Sequence, residues 1–99
     1  MTIDTRRAGN ALMIALEGEL NSQTAPQLAT AIQQNIGGVA KLVFDMSKLN
    51  YLTSAGLRVL MSAQKTMDRQ GEMEVLHPNE SVRDVFALTG LLDIITVLP

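Results

Sequence analysis

The part of this sequence best placed for chemistry is a pair of hydroxyl residues at the predicted start of a helix. Thr53 and Ser54 follow a loop and precede apolar residues with helical spacing. A hydroxyl at this point is typical of an N-cap. It also lies near the positive end of the helix dipole, where an anion is stabilised. Arg58, one turn further on, would lie near such an anion, although a solvated side chain is its simpler interpretation.

The other reactive side chains do not form a catalytic set. Residues 52–56, LTSAG, lack the G-x-S-x-G turn of the serine hydrolases. The single histidine, His77, stands beside a proline and is interpreted as a loop residue. Asp45 could act as a base or bind a metal, but no second carboxylate is placed beside it, so we interpret it as the end of a strand. We therefore expect no enzymatic activity, no metal site and no cofactor.

The composition excludes several other classes of function. The chain has 99 residues, a formal net charge of −2 and no basic block, so nucleic acid is not an expected partner. It has no cysteine and one histidine, which rules out disulfides and a multi-histidine metal site within the chain. No signal peptide or membrane-spanning apolar run is present. We expect a single domain over residues 1–99, monomeric, without a membrane partner, in the cytoplasm.

The elements that must position Ser54 alternate between strands and helices, in the order β-β-α-β-α-β-α-β. This order predicts an α/β fold with a mixed sheet of four or five strands and helices packed mainly on one face. The continuous apolar run of Lys41–Phe44 is typical of a central strand covered on both faces. The predicted strands are Ile3–Arg7, Ala11–Glu17, Lys41–Phe44, Glu72–Leu76 and Ile94–Val97. The predicted helices begin at Thr24, at Thr53 or Ser54, and at Pro78-Asn79.

Two residues near the predicted helix starts, Thr24 and Gly56, indicate local contacts. Thr24 and Gln27 match a capping box, in which the threonine hydroxyl caps the first helix. Gly56 stands in the first turn of the central helix, where glycine costs about 1 kcal/mol relative to alanine. That position therefore indicates a close approach, either by neighbouring backbone or by a partner.

Four segments of the chain are similar to motifs of the STAS domain family, specifically of the bacterial anti-sigma-factor antagonists. Residues 45–60, DMSKLNYLTSAGLRVL, resemble D-L-S-x-[VL]-x-[YF]-[IML]-[DS]-S-[STA]-G-L-[RG]-[VA]-[LI]. Residues 18–25, GELNSQTA, resemble G-E-L-D-x-x-[TN]-A. Residues 71–73 and 82–91 resemble the family's later strand and helix. The resemblance covers nearly the whole chain, in order.

The resemblance implies a binding module controlled by phosphorylation. The family's phosphorylated serine falls on Ser54. The unmodified domain would bind an anti-sigma factor that is also a serine kinase, phosphorylation would release it, and a serine phosphatase would restore it. Three positions depart from the pattern: Thr53 replaces Asp or Ser, Ala55 replaces a common second hydroxyl, and Asn21 replaces the usual Asp.

The partner-binding surface is expected where the loop 19–23 meets the start of the central helix, because open α/β sheets place their sites at the carboxyl ends of strands. The residues assigned to it are Asn21, Ser22, Thr24, Thr53, Ser54, Ala55, Gly56, Leu57 and Arg58. The alternative within the same family is a STAS subunit of a transport or other signalling complex that is not phosphorylated.

Overall fold

The computed structural model, which describes residues Met1–Pro99, forms a five-stranded sheet flanked by three α-helices. The strands are β1 (Thr2–Ala8), β2 (Ala11–Leu20), β3 (Lys41–Leu52), β4 (Glu72–Leu76) and β5 (Thr96–Leu98). The helices are α1 (Ala25–Asn35), α2 (Ser54–Gln70) and α3 (Glu80–Leu88), followed by a 3₁₀ turn at Leu91–Asp93. The spatial order follows the chain order, so β3 is central. The predicted α/β fold and element order are confirmed.

The one antiparallel pair is the predicted hairpin of β1 and β2, and the other neighbouring strands run parallel. The hairpin turns at Gly9-Asn10, with Gly9 at φ +62, a conformation that glycine adopts without strain. Each parallel neighbour is reached through a helical connection, because a parallel pair cannot be joined by a tight turn. The local turn chemistry therefore sets the strand directions.

One face of the sheet holds the core. Leu12, Ile14 and Phe44 are at most 1% exposed and belong to the same apolar cluster as residues from all three helices. Val43 points to the opposite face, where its register partner on β2, Met13, is 38% exposed. The expectation that the central strand is covered on both faces is therefore wrong. The helices pack on one side, and Val43, although only 9% exposed, lies outside the core cluster.

β3 continues to Leu52, so the predicted loop after Asp45 is wrong. Its pairing with β2 shifts register twice, between Ala15 and Glu17 and again between Gly18 and Glu19. Such irregularities insert extra residues into one strand and break its two-residue period. The buried residues of this half of β3 accordingly fall at every third position: Met46, Leu49 and Leu52.

Asp45 lies at the first of these irregularities and does not end the strand. Its carboxylate accepts the N–H of Ser47 at 3.0 Å. That hydrogen bond holds the pKa of Asp45 below its usual value of 3.8, against a smaller opposing effect of desolvation. We interpret Asp45 as a structural residue that satisfies a backbone donor where β3 leaves regular pairing.

The end of the chain also differs from its predicted boundaries. Asn79 caps α3 as expected, since its side chain accepts the N–H of Val82 at 2.8 Å. β5, however, begins at Thr96, because Ile95 donates its N–H to Leu91 and its side chain is buried. None of the helices combines the length and apolar character needed to cross a lipid bilayer.

Candidate functional site

The two segments assigned to the partner surface leave the sheet side by side. Leu20, the last residue of β2, pairs with Leu52, the last residue of β3. The N–H of Thr53 donates to the carbonyl of Leu20 at 2.9 Å, which ties the start of α2 to the end of β2. The loop that begins at Asn21 therefore lies beside the first turn of α2.

The loop between β2 and α1 is held by its own side chains. Asn21 Oδ1 accepts the N–H groups of Gln23 and Thr24 at 2.9 and 3.1 Å. Thr24 Oγ1 accepts the N–H of Asn21 at 2.8 Å and donates to the carbonyl of Glu19 at 2.9 Å. An asparagine oxygen thus makes the backbone contacts that a carboxylate could make there. Ser22 and Gln23 are left exposed at the tip.

The capping box predicted for Thr24 is wrong. Thr24 is the residue before α1, but its side chain makes no capping hydrogen bond to the helix. The hydroxyl instead accepts a hydrogen bond from Asn21 within the loop. Hydroxyl side chains commonly form such local hydrogen bonds to the backbone in place of a helical one. α1 instead begins with Ala25 and Pro26, where a missing N–H costs nothing. Thr24 therefore shapes the candidate surface.

Ser54 is the first residue of α2 and its side chain is exposed. Thr53 is the N-cap residue, with extended backbone at φ −108 and ψ −179, yet its hydroxyl makes no capping bond. The prediction that a hydroxyl of this pair caps the helix is therefore wrong, and Ser54 lies within the helix. Its hydroxyl is free at the surface, beside a helix start whose first N–H groups have no partner within the helix.

The next two turns hold α2 against the sheet and expose one cation. Ala55 is half-buried, Leu57 is 6% exposed and belongs to the core, and Arg58 returns to the surface. The structure thus brings all the predicted surface residues to one edge, but Gly56 and Leu57 lie beneath it. No group of three or more His, Cys, Asp or Glu side chains is arranged to hold a metal ion.

The close approach indicated by Gly56 comes from Leu20. A Cβ at position 56 would lie 2.6 Å from Cγ and 2.7 Å from Cδ2 of Leu20. Leu20 is fully buried, so it has no room to retreat. Glycine at position 56 therefore lets α2 dock directly on the end of β2. The close approach comes from a side chain of the same chain, and not from the backbone or the partner that the sequence offered as alternatives.

Replacing Gly56 with alanine should destabilise the protein by about 1 to 2 kcal/mol, because an overpacking cost outweighs the helix propensity gained. Urea denaturation measures the change in the free energy of unfolding. In a Leu20→Ala background the same substitution should cost little, since the clashing side chain is gone. A Gly56→Ala protein as stable as wild type would show that Leu20 does not confine this position.

A groove between α1 and α2 opens beside the candidate surface. Its volume is about 400 Å³. Its lining residues include Ala29 and Gln33 on α1 and Arg58, Val59 and Ser62 on α2. No sequence pattern pointed to this groove, since its small residues are also ordinary helix-packing residues. Arg58 contributes the only charge on its walls.

The fold and these segments have counterparts in known proteins. The family model of the STAS domain matches residues 2–99. BtrV of Bordetella bronchiseptica, which bears the name of an anti-sigma factor antagonist, is 35% identical over 88 residues, covering 87% of this chain and 76% of that protein. An anti-sigma factor antagonist from Mycobacterium paratuberculosis superposes with a TM-score of 0.91 at 25% identity, covering 99% of this chain and 85% of that one. The Bacillus cell fate determinant SpoIIAA, in its phosphorylated form, shares the fold with a TM-score of 0.77 at 21% identity, over 97% and 90% of the two chains.

Proposed function

This chain belongs to the STAS domain family, and we propose that it is an anti-sigma factor antagonist whose binding is switched by phosphorylation of Ser54. In the unmodified state it binds an anti-sigma factor that is also a serine kinase. The Ser54 oxygen then accepts the γ-phosphoryl group of ATP, ADP leaves, and the hydroxyl proton passes to the kinase. A serine phosphatase later hydrolyses the phosphate ester with water and restores the hydroxyl.

The observation that carries this proposal is the state of the Ser54 hydroxyl. It lies exposed in the first turn of α2 and forms no hydrogen bond that a kinase would have to break. The neighbouring Thr53 is only half exposed. The similarity to named antagonists supports the antagonist function, and the fold is shared with a protein solved in a phosphorylated form.

The electrostatics of the helix start explain how one modification could release a partner and spare the fold. A phosphate adds about −1.5 to −2 charges. On Ser54 these charges face free N–H groups and the positive end of the α2 dipole, which stabilise an anion. A partner surface fitted to a hydroxyl would instead have to desolvate a dianion, which is costly. Phosphorylation therefore weakens the complex with the partner and leaves the fold of the domain intact.

The surface proposed for the partner combines the loop 21–24 with the exposed residues of the first α2 turns. The hydrogen bonds within the loop leave little to be ordered on binding, which lowers the entropic cost of association. We propose that the antagonist acts in the cytoplasm as a monomer and needs no cofactor.

Tandem mass spectrometry after incubation with ATP and the kinase recovered with the protein from its native cells tests the assignment. We expect a single phosphate on Ser54 and none on the Ser54→Ala variant. A Thr53→Val variant serves as the matched control and should be phosphorylated like wild type. Phosphate on Thr53 with Ser54 unmodified would contradict the proposal.

A further inference from the structure

Arg58 is a surface cation that the structure leaves without a partner. The two ion pairs of the protein join Arg6 to Asp4 and Lys41 to Glu74, and neither involves Arg58. Arg58 is also the only charged residue between Ser54 and Gln64, so no acidic group of α2 competes for it in this stretch. Arg58 lines the groove between α1 and α2, and its side chain can move without breaking an ion pair.

The position of Arg58 relative to Ser54 suits a contact between the two side chains. They are four residues apart on one helix, the spacing that places side chains on the same face about 5 to 6 Å apart at Cβ. Both are exposed. Side chains on an α-helix lean toward its N-terminus, so the turn that carries Ser54 is within reach of the long arginine chain.

From this geometry we propose that Arg58 binds the phosphate of phosphorylated Ser54 and is thereby withdrawn from the α1–α2 groove. The inference rests on the proposed function, since it requires the phosphate to be on Ser54. A guanidinium can donate two parallel hydrogen bonds to phosphate oxygens, which an ammonium cannot do. Phosphorylation then changes the surface twice: it adds a dianion at the helix start and neutralises the one cation of the neighbouring groove.

The pairing gives Arg58 a role as a positioning residue. It fixes the direction of the phosphate along the α1 side of α2, which is the side that carries the groove. Because both groups are exposed, the contact should weaken as salt screens the charges. Replacement of Arg58 by lysine keeps the charge but loses the planar fork, so it should preserve only part of the effect.

A phosphorus NMR titration of protein made with phosphoserine at position 54 by genetic encoding tests this contact without any kinase. The second pKa of the phosphate should be lower in the wild-type background than in Arg58→Ala by about 0.3 to 0.7 of a pH unit, the size that exposed charge pairs produce. Arg58→Lys should lie between them. Lys65→Ala, which removes a cation further along α2, is the matched control and should titrate like wild type.

The outcomes separate this inference from the proposed function. Identical titration curves for wild type and Arg58→Ala would overturn the contact, even if the phosphoprotein releases its partner. A pKa lowered by Arg58 would support the contact, even if the phosphoprotein and the unmodified protein bound the partner equally, a result that would refute the proposed function alone. A shift of equal size in Lys65→Ala would also overturn the contact, because it would show only a general field of positive charge.

Discussion

Phosphorylation of Ser54 is expected to lower the affinity for the anti-sigma factor partner more than a hundredfold. The hydroxyl lies exposed beside the loop 21–24, at the centre of the surface proposed to be covered. Covering a phosphate there desolvates a dianion in the interface, and the single charge of Arg58 offsets only part of that cost. A loss of about 3 kcal/mol already exceeds a factor of one hundred in the dissociation constant. Titration calorimetry with the unmodified and the phosphorylated protein measures the ratio.

Two substitutions distinguish the effect of added negative charge on partner binding from the effect of losing the Ser54 hydroxyl. Ser54→Ala should bind like the unmodified wild type and should remain bound when ATP is added. Its stability should change by no more than about 0.5 kcal/mol, since the hydroxyl makes no capping bond. Ser54→Asp should stay folded but bind more weakly, though less so than the phosphoprotein, because a carboxylate carries less charge.

Ser81→Asp is the matched control for these measurements. Ser81 is an exposed serine in the first turn of α3, so the substitution adds the same charge in a similar helical setting outside the proposed surface. It should leave the affinity unchanged. Equal affinities of wild type, Ser54→Asp and the phosphoprotein would show that Ser54 does not control partner binding.

Replacement of Gly71 by alanine should destabilise the fold by about 3 kcal/mol or more, beyond ordinary overpacking. A Cβ at this position would lie 1.9 Å from the carbonyl oxygen of Ala40. That oxygen accepts the N–H of Glu72 at 2.9 Å, where β4 begins to pair with β3. The clash is thus with backbone that is fixed by the sheet, and it can be relieved only by moving β4 away from the central strand.

Gly37→Ala provides the comparison for Gly71→Ala. A Cβ on Gly37 would meet nothing within 4 Å, and its φ lies outside the left-handed region. This substitution should change stability by less than about 1 kcal/mol, with a gain possible from the less flexible unfolded chain. Urea denaturation of both variants gives the two free energies. Similar midpoints would contradict the close packing of Gly71 on Ala40.

The sequence by itself determined the order and type of the elements and the place of Ser54. The turn at Gly9-Asn10, the alternation in residues 11–17 and the helical spacing after Ser54 are local signals, and each acts within a few residues of the chain. The meeting of the predicted loop 19–23 with the start of α2 was also predictable, because parallel neighbouring strands end at the same edge of a sheet. Its bounds were not, since β2 runs to Leu20 and the loop begins at Asn21.

The tertiary structure alone decided how those pieces fit. β3 runs to Leu52 because it stays paired with β2 through two register shifts. The spacing of its buried residues depends on these shifts between two strands, so the sequence of β3 alone does not show it. Thr24 does not cap α1, because its hydroxyl is hydrogen-bonded to the backbone of Asn21 and Glu19. Gly56 faces Leu20, and Arg58 faces a groove whose other wall is α1. The Thr24 hydrogen bonds are local, but the other features depend on contacts between elements remote in the chain, where packing overrides local propensity.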